Sequence, residues 1–234
     1  MSQTYSRRAV LARIGLGGAA SAAAGAAPFR HAFAQADGIP WYFLTDDEAR
    51  WLAAITDVLI PEDEFPSASQ AGVVDYIDFA LAGDYGRAAR FYMRGPFADG
   101  VPEQGWQVDA TPAQLIRNGL AALREGNDVT ALDGAGRERW VRELSEYDEP
   151  LGALSARTFF DELLSLTNEG YFADPIYLGN HDYSGWRMVG FPGAHAYYTE
   201  RVDDHGYRQV QPPMGIAHSD ARSDSLPRLI GRRG

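Results

Sequence analysis

The 234-residue chain has no cysteine. That absence removes disulfides, thiolate-ligated iron–sulfur clusters, covalently attached c-type haem and thiol nucleophiles, so stability has to come from burial and from partners. Lysine is missing too. All 21 basic residues are arginine, which excludes Schiff-base and lysine general-base chemistry. Positive charge is scarce overall, with a formal net charge of -11, and such a surface repels nucleic acid and anionic lipid. No run of ~20 strongly apolar residues is present, so no segment reads as a transmembrane helix. A dinucleotide-binding glycine loop is absent as well. Its nearest approach, Gly15-Leu16-Gly17-Gly18, has no strand before it and no acid at the usual distance after it.

What stands at the N-terminus is an arginine pair, Arg7 and Arg8, flanked by Ser6 and Leu11. A weakly apolar stretch rich in Gly and Ala follows, ending in Ala32-Phe33-Ala34, a small-x-small cleavage pattern. Residues 1–34 therefore read as a twin-arginine (Tat) signal peptide, cut after Ala34, and the expected destination is the periplasm. The first acid is Asp37, so removing the leader takes four arginines and no acid, and the formal charge becomes -15. The twin-arginine route carries folded proteins, yet no segment behind the leader is built to bind the kind of cofactor that makes folding before export necessary. That mismatch points to a folded partner travelling with the chain.

The remaining 200 residues suffice for one domain, expected over residues 35–216. Helical signals dominate. Thr45 and Glu48 form a capping box that starts a helix. Trp51, Leu52, Ile55, Val58 and Leu59 then make one apolar face, and Pro61 stops the helix after Ile60. Helices are also predicted over residues 72–82, with Val73, Val74, Ile77 and Leu81 inward, and over 85–93. Thr111-Pro112-Ala113-Gln114 is a second start signal, leading Leu115, Ile116, Leu120 and Leu123 to a stop at Gly126. Two more amphipathic helices are predicted over 135–145 and from 155 to about 166. No run of alternating apolar and polar residues is long enough to require a sheet, and no repeat is evident. The fold class is all-α with long ordered irregular loops, in which Phe65, Phe97 and Trp106 pin the Pro/Gly-rich connections to the core. From Ala217 onward the apolar residues thin out, His205 and His218 lie in or near this end, and residues 217–234 read as a flexible C-terminal tail.

The sequence changes character after Leu166. Residues 167–193 combine aromatics, Gly, Pro and polar turn formers, a mixture that is ordered without being regularly helical. Long irregular segments in compact domains tend to be functional. Read as T-x-E-G-Y-F-A-D-P-x-Y-x-G-N-x-D-x-x-G-W-x-x-x-G-F-P-G, this block resembles the signature of the gluconate 2-dehydrogenase subunit 3 family, the small subunit of membrane-associated, flavin-dependent sugar dehydrogenases. The leader, the helix over 45–60 and the helix feeding Thr167 are similar to that family as well.

The resemblance implies a chain that is not an enzyme on its own and holds no cofactor or metal. In such complexes a glucose-methanol-choline-type large subunit carries FAD, and a membrane-bound cytochrome c subunit with haem c commonly passes electrons onward. The small subunit escorts the large one through the Tat translocase and stays bound to it. Trp, Tyr, Arg and Met are enriched at interfaces. The candidate partner contacts are Glu169, Tyr171, Phe172, Asp174, Pro175 and Tyr177 in the first half of the block. Asn180, Asp182, Trp186, Arg187, Phe191 and Pro192 are the candidates in the second half. Trp186 and Phe172 are expected inward and some tyrosines outward. Glu169 and Arg187 either pair with each other or leave Arg187 free for a partner carboxylate.

The competing reading is an exported metal-dependent enzyme built on Glu169, Asp174, His181, Asp182 and His195, since oxygen donors and imidazole suit several divalent ions. Their spacing matches no ligand template. Asp174, Asn180 and Asp182 beside Gly and Pro have the ordinary pattern of turn residues whose side chains accept backbone amides.

Overall fold

The computed structural model describes residues 40–98, 101, 104–125, 128–194, 203, 206 and 212–216. Arg7, Arg8 and Ala34 of the leader, Gly126, His195, His205, His218 and residues 217–234 lie outside them, as do the expectations placed on them.

The chain is mainly helical. Helix α1 (Asp46–Leu59) starts at the expected capping box: the Thr45 hydroxyl accepts the Glu48 amide at 3.2 Å, and the Glu48 carboxylate accepts the Thr45 amide at 2.8 Å. Trp51, Leu52 and Ile55 are buried, and Ile60 caps the end before Pro61. Helix α2 (Val73–Ala82) buries Val73, Val74, Ile77 and Leu81. Helix α3 (Pro112–Arg124) has its own capping box through Thr111 and Gln114, with Pro112 in the first turn, where a missing amide proton costs nothing. After a 3-10 turn (Val129–Ala131), helix α4 (Gly134–Ser145) sends Trp140 edge-on against Trp51 of α1 at 5.9 Å. A two-residue antiparallel pair, β1 (Pro150–Leu151) with β2 (Leu154–Ser155), is the one sheet among the described residues. Its last residue, Ser155, also caps the next helix by accepting the Thr158 amide.

That helix, α5 (Ala156–Phe172), is the axis of the fold and packs on α1, α2, α3 and α4. Phe159, Leu163 and Leu166 are fully buried at its centre. It runs six residues beyond the expected stop near Leu166. The Thr167 hydroxyl folds back to donate to the Leu163 carbonyl at 2.7 Å, so Thr167 sits inside the helix without exposing a polar group. Gly170 then lets Tyr76 of α2 close in, since a Cβ there would lie 2.9 Å from the tyrosine ring. The block's first residues are therefore helical.

The predicted helix over 85–93 does not form, and residues 84–90 are a series of turns. Gly86 folds so tightly under α2 that a Cβ would lie 1.9 Å from the Leu81 carbonyl oxygen. Ala88 takes a left-handed φ of 54°. The Gly86 carbonyl accepts the Ala113 amide from the first turn of α3 instead of an amide of its own helix. Of the loop aromatics, Trp106 packs against the core and donates its indole proton to the Ala110 carbonyl, whereas Phe65 and Phe97 are only half-buried. Among the described residues no helix is long and apolar enough to cross a membrane.

Asp75 in the first turn of α2 supplies a stability prediction. Burial, and after it the neighbouring charge of Asp78, push its carboxyl from 3.8 up to about 7. A folded-state pKa above the unfolded value means the native state holds a proton that the unfolded chain releases. Stability from this group is thus complete below pH 4 and is lost as pH rises toward and past 7. A shift of this size corresponds to ~4 kcal/mol, and solvent access to the partly buried carboxyl reduces it, so Asp75→Asn is expected to stabilise the chain by about 2 kcal/mol at pH 8 and negligibly at pH 4. Urea titrations at the two pH values check this, and an equal effect at both would contradict it.

Candidate functional site

The block after α5 is held in shape from within. Tyr171, in the last turn of α5, is fully buried and donates its hydroxyl proton to the Pro66 carbonyl at 2.8 Å. Asp174 caps a 3-10 turn (Pro175–Tyr177) by accepting the Ile176 amide at 3.0 Å. Its other oxygen accepts the amide of Ile216, 42 residues further on, at 2.6 Å. Asn180 has no exposed surface. Its Nδ2 donates to the Ala173 carbonyl and its Oδ1 accepts the Gly185 amide, each at 2.8 Å, joining the end of α5 to the start of α6 (Ser184–Val189).

Between these anchors the backbone is strained. Leu178, Asn180, Asp182 and Tyr183 all have left-handed φ angles, between 51° and 73°. Asn and Asp tolerate that region, but Leu and Tyr do so only where their surroundings over-determine it. Trp186 supplies much of that constraint. It is buried, donates its indole proton to the Phe172 carbonyl at 2.7 Å, stacks on Tyr183 at 5.4 Å and meets Phe191 edge-on at 5.0 Å. The segment 212–216 closes the far side. Met214 donates to Pro192 and accepts from Ala194, and the Gly215 amide donates to the Tyr183 hydroxyl.

The twelve candidate contacts thus separate into two groups. Tyr171, Asp174, Pro175, Asn180 and Trp186 are buried, whereas Glu169, Phe172, Tyr177, Asp182, Arg187 and Phe191 are exposed, and Pro192 lies between. Trp186 points inward as expected. Phe172 does not: it follows Tyr171 on the helix, and a step of about 100° carries it to the outer face. The turn-residue reading holds for Asp174 and Asn180, whose side chains accept amides, and Asp182 takes the left-handed backbone typical of such positions. Glu169 and Arg187 do not pair. Glu169 accepts the Tyr76 hydroxyl at 2.9 Å and the Ser165 hydroxyl at 3.0 Å, and Arg187 is exposed with no ion pair among the described residues.

The described members of the competing metal set do not converge. Asp174 is occupied by backbone amides, and Glu169 by hydroxyls. The His181 ring packs on Gly72, and burial pushes its pKa down. Among the described residues no three His, Asp or Glu side chains could hold a common metal ion.

Sequence reasoning missed part of the outer surface. Ile176, Met188, Val189 and Ile216 are exposed in addition to Phe172, Tyr177 and Phe191, so seven of the eleven exposed large apolar side chains among the described residues fall between 172 and 216. Val189 and Ile216 are about 60% exposed, at 59% and 62%. The available signal was the apolar pair Met188-Val189 ending a helix too short to bury both of its faces. Ile216 carried none, because it precedes a polar tail.

No curated protein and no solved structure matches the chain. A family model described as gluconate 2-dehydrogenase subunit 3 matches residues 46–193. That stretch runs from the first turn of α1 to the glycine closing the strained block and spans more than half of the 234 residues, and on that match the chain belongs to the gluconate 2-dehydrogenase subunit 3 family.

Proposed function

We propose that this chain is the non-catalytic small subunit of a periplasmic, FAD-dependent dehydrogenase complex acting on a sugar, sugar acid or alcohol. In this reading it escorts a glucose-methanol-choline-type flavoprotein subunit through the Tat translocase and remains bound as a stabilising partner. That large subunit carries the flavin that performs the oxidation and itself fixes the substrate, and in such complexes a membrane-bound cytochrome c subunit commonly takes the electrons onward. Family membership supports a place in a dehydrogenase complex. Within the chain, the observation that carries the reading is the concentration of exposed apolar side chains on a block whose backbone is fixed by buried hydrogen bonds. Exposed apolar side chains concentrated in this way are costly in a free monomer and typical of a long-lived interface. Rigid presentation lowers the ordering entropy of docking.

Export supplies the test. With the full-length chain and its flavoprotein subunit produced together, both subunits are expected in the periplasmic fraction. The Arg7→Lys/Arg8→Lys variant is expected to leave both in the cytoplasm. A flavoprotein subunit that reaches the periplasm equally well beside the variant would sink the escort reading.

A further inference from the structure

Helix α5 carries Glu162, Ser165, Glu169 and Phe172 at spacings of three and four, which places them on one face. Tyr76 of α2 faces it, and Phe79 follows Tyr76 by three residues on the same side of α2. Tyr76 donates its hydroxyl proton to Glu169, and Tyr85, just beyond α2, donates its own to Glu162. Tyr177 lies close enough to Tyr76 to act on its titration. Phe79, Phe172 and Tyr177 are exposed, so two carboxylates stand within an apolar rim.

Among the described residues this seam has no cation. Elsewhere the chain's arginines meet its acids: Arg50 and Arg124 at Asp47, Arg117 at Glu48, Arg142 at Glu138, Arg157 at Asp161. Among the described residues no arginine is within ion-pair distance of Glu162 or Glu169. Burial pushes the Glu162 carboxyl up, and the Glu169 charge adds to that rise while the Tyr85 bond opposes it. Burial, and the same carboxylates, push the phenols of Tyr76 and Tyr85 up too. Two like charges at the edge of apolar surface, with only hydroxyls for partners, are poorly placed in a free chain and well placed opposite a basic side chain. A second copy of this acidic chain would meet the seam with net repulsion, which argues for a different occupant.

We propose that the seam between α2 and α5, where Glu162 and Glu169 stand among exposed Phe79, Phe172 and Tyr177, is a docking surface for the flavoprotein subunit, which sets an arginine or lysine against the two carboxylates. The proposal rests on the functional reading above. Its test is the affinity of the purified leaderless chain for the purified flavoprotein subunit, measured at 50 and 300 mM NaCl for wild type, Glu162→Gln/Glu169→Gln, Phe172→Ala and the distant control Glu138→Gln.

At about 50 mM salt the double variant is expected to bind at least tenfold more weakly, with a flatter salt dependence, and Phe172→Ala to lose a similar factor. The control stays within about twofold. Glutamine still accepts the tyrosine protons and removes the mutual repulsion, so the free double variant melts no lower than wild type. Weaker binding by a fold that is no less stable separates docking from a structural role. If wild type binds and the double variant binds within twofold of it, the seam is not the docking surface. Failure of wild type to bind the flavoprotein subunit, or capture of the seam by a second copy of the chain, overturns the proposal as well, and the first of these removes the functional reading with it.

Discussion

Asp78→Ala lowers the stability of the isolated chain by about 3–5 kcal/mol. The Asp78 side chain is buried on α2 and is the common acceptor for three consecutive backbone amides of the segment entering α1: Tyr42, Phe43 and Leu44, each at 2.8 Å. Hydrogen bonds to a charged acceptor contribute about 1.5–3 kcal/mol apiece, and an amide left unpaired away from water loses its full desolvation cost. Water reaches the Tyr42 and Phe43 amides more readily than that of Leu44, which keeps the total below the sum of three. Removing Asp78 also relieves the like-charge contact that raises the Asp75 carboxyl, returning a fraction of the loss. Guanidinium titration gives the free energy, and hydrogen exchange should show the amides of residues 42–44 losing protection ahead of α2. A loss below about 1 kcal/mol would show that these amides find other acceptors.

A comparable loss, about 3–4 kcal/mol, is expected for Asn180→Ala. Three effects act together. The Gly185 amide loses its acceptor and the Ala173 carbonyl its donor, at about 1–3 kcal/mol for each buried group left unpaired. A fully buried side chain is truncated, leaving a void. Alanine must also hold a φ of 51°, which asparagine tolerates and alanine resists. Asn180→Gly isolates the last effect: it loses the same hydrogen bonds but accepts the backbone angle, and should recover about 0.5–1 kcal/mol relative to alanine. The intrinsic fluorescence of Trp186, which docks on the Phe172 carbonyl beside this junction, should shift red in both variants. Variants that melt like wild type and keep the wild-type spectrum would show that Asn180 does not hold the block together.

The helix starts were legible because their chemistry is local. Thr45 with Glu48, and Thr111 with Pro112 and Gln114, announce themselves within four residues, and the structure places a capping box at each. Features set by distant partners were not legible. Residues 85–93 carry a helical pattern, but the Gly86 carbonyl is taken by Ala113 and the glycine is pressed onto Leu81, contacts that lie outside any window along the sequence. The end of α5 was placed near Leu166 because the composition changes there, but the helix runs on through Gly170, whose bare Cα allows Tyr76 to approach.

The block itself was legible as ordered from its composition, and Asp174 and Asn180 as turn makers from their neighbours. Which of Tyr171 and Phe172 faces out depends on where α5 lies against α2, and composition holds no record of that. Nor does the sequence show that Glu169 would be held by Tyr76, 93 residues earlier, instead of Arg187 nearby.

The clasp formed by residues 212–216 has a practical bearing on how the polypeptide can be divided. The family match stops at residue 193, and a gene fragment designed to that limit would amputate the amides of Met214, Gly215 and Ile216. Pro192, Tyr183 and Asp174 would each lose a hydrogen-bond partner, and the Asp174 carboxylate would keep only the Ile176 amide. The shortest fragment that retains every one of these bonds therefore extends to residue 216, past the boundary that homology alone would draw.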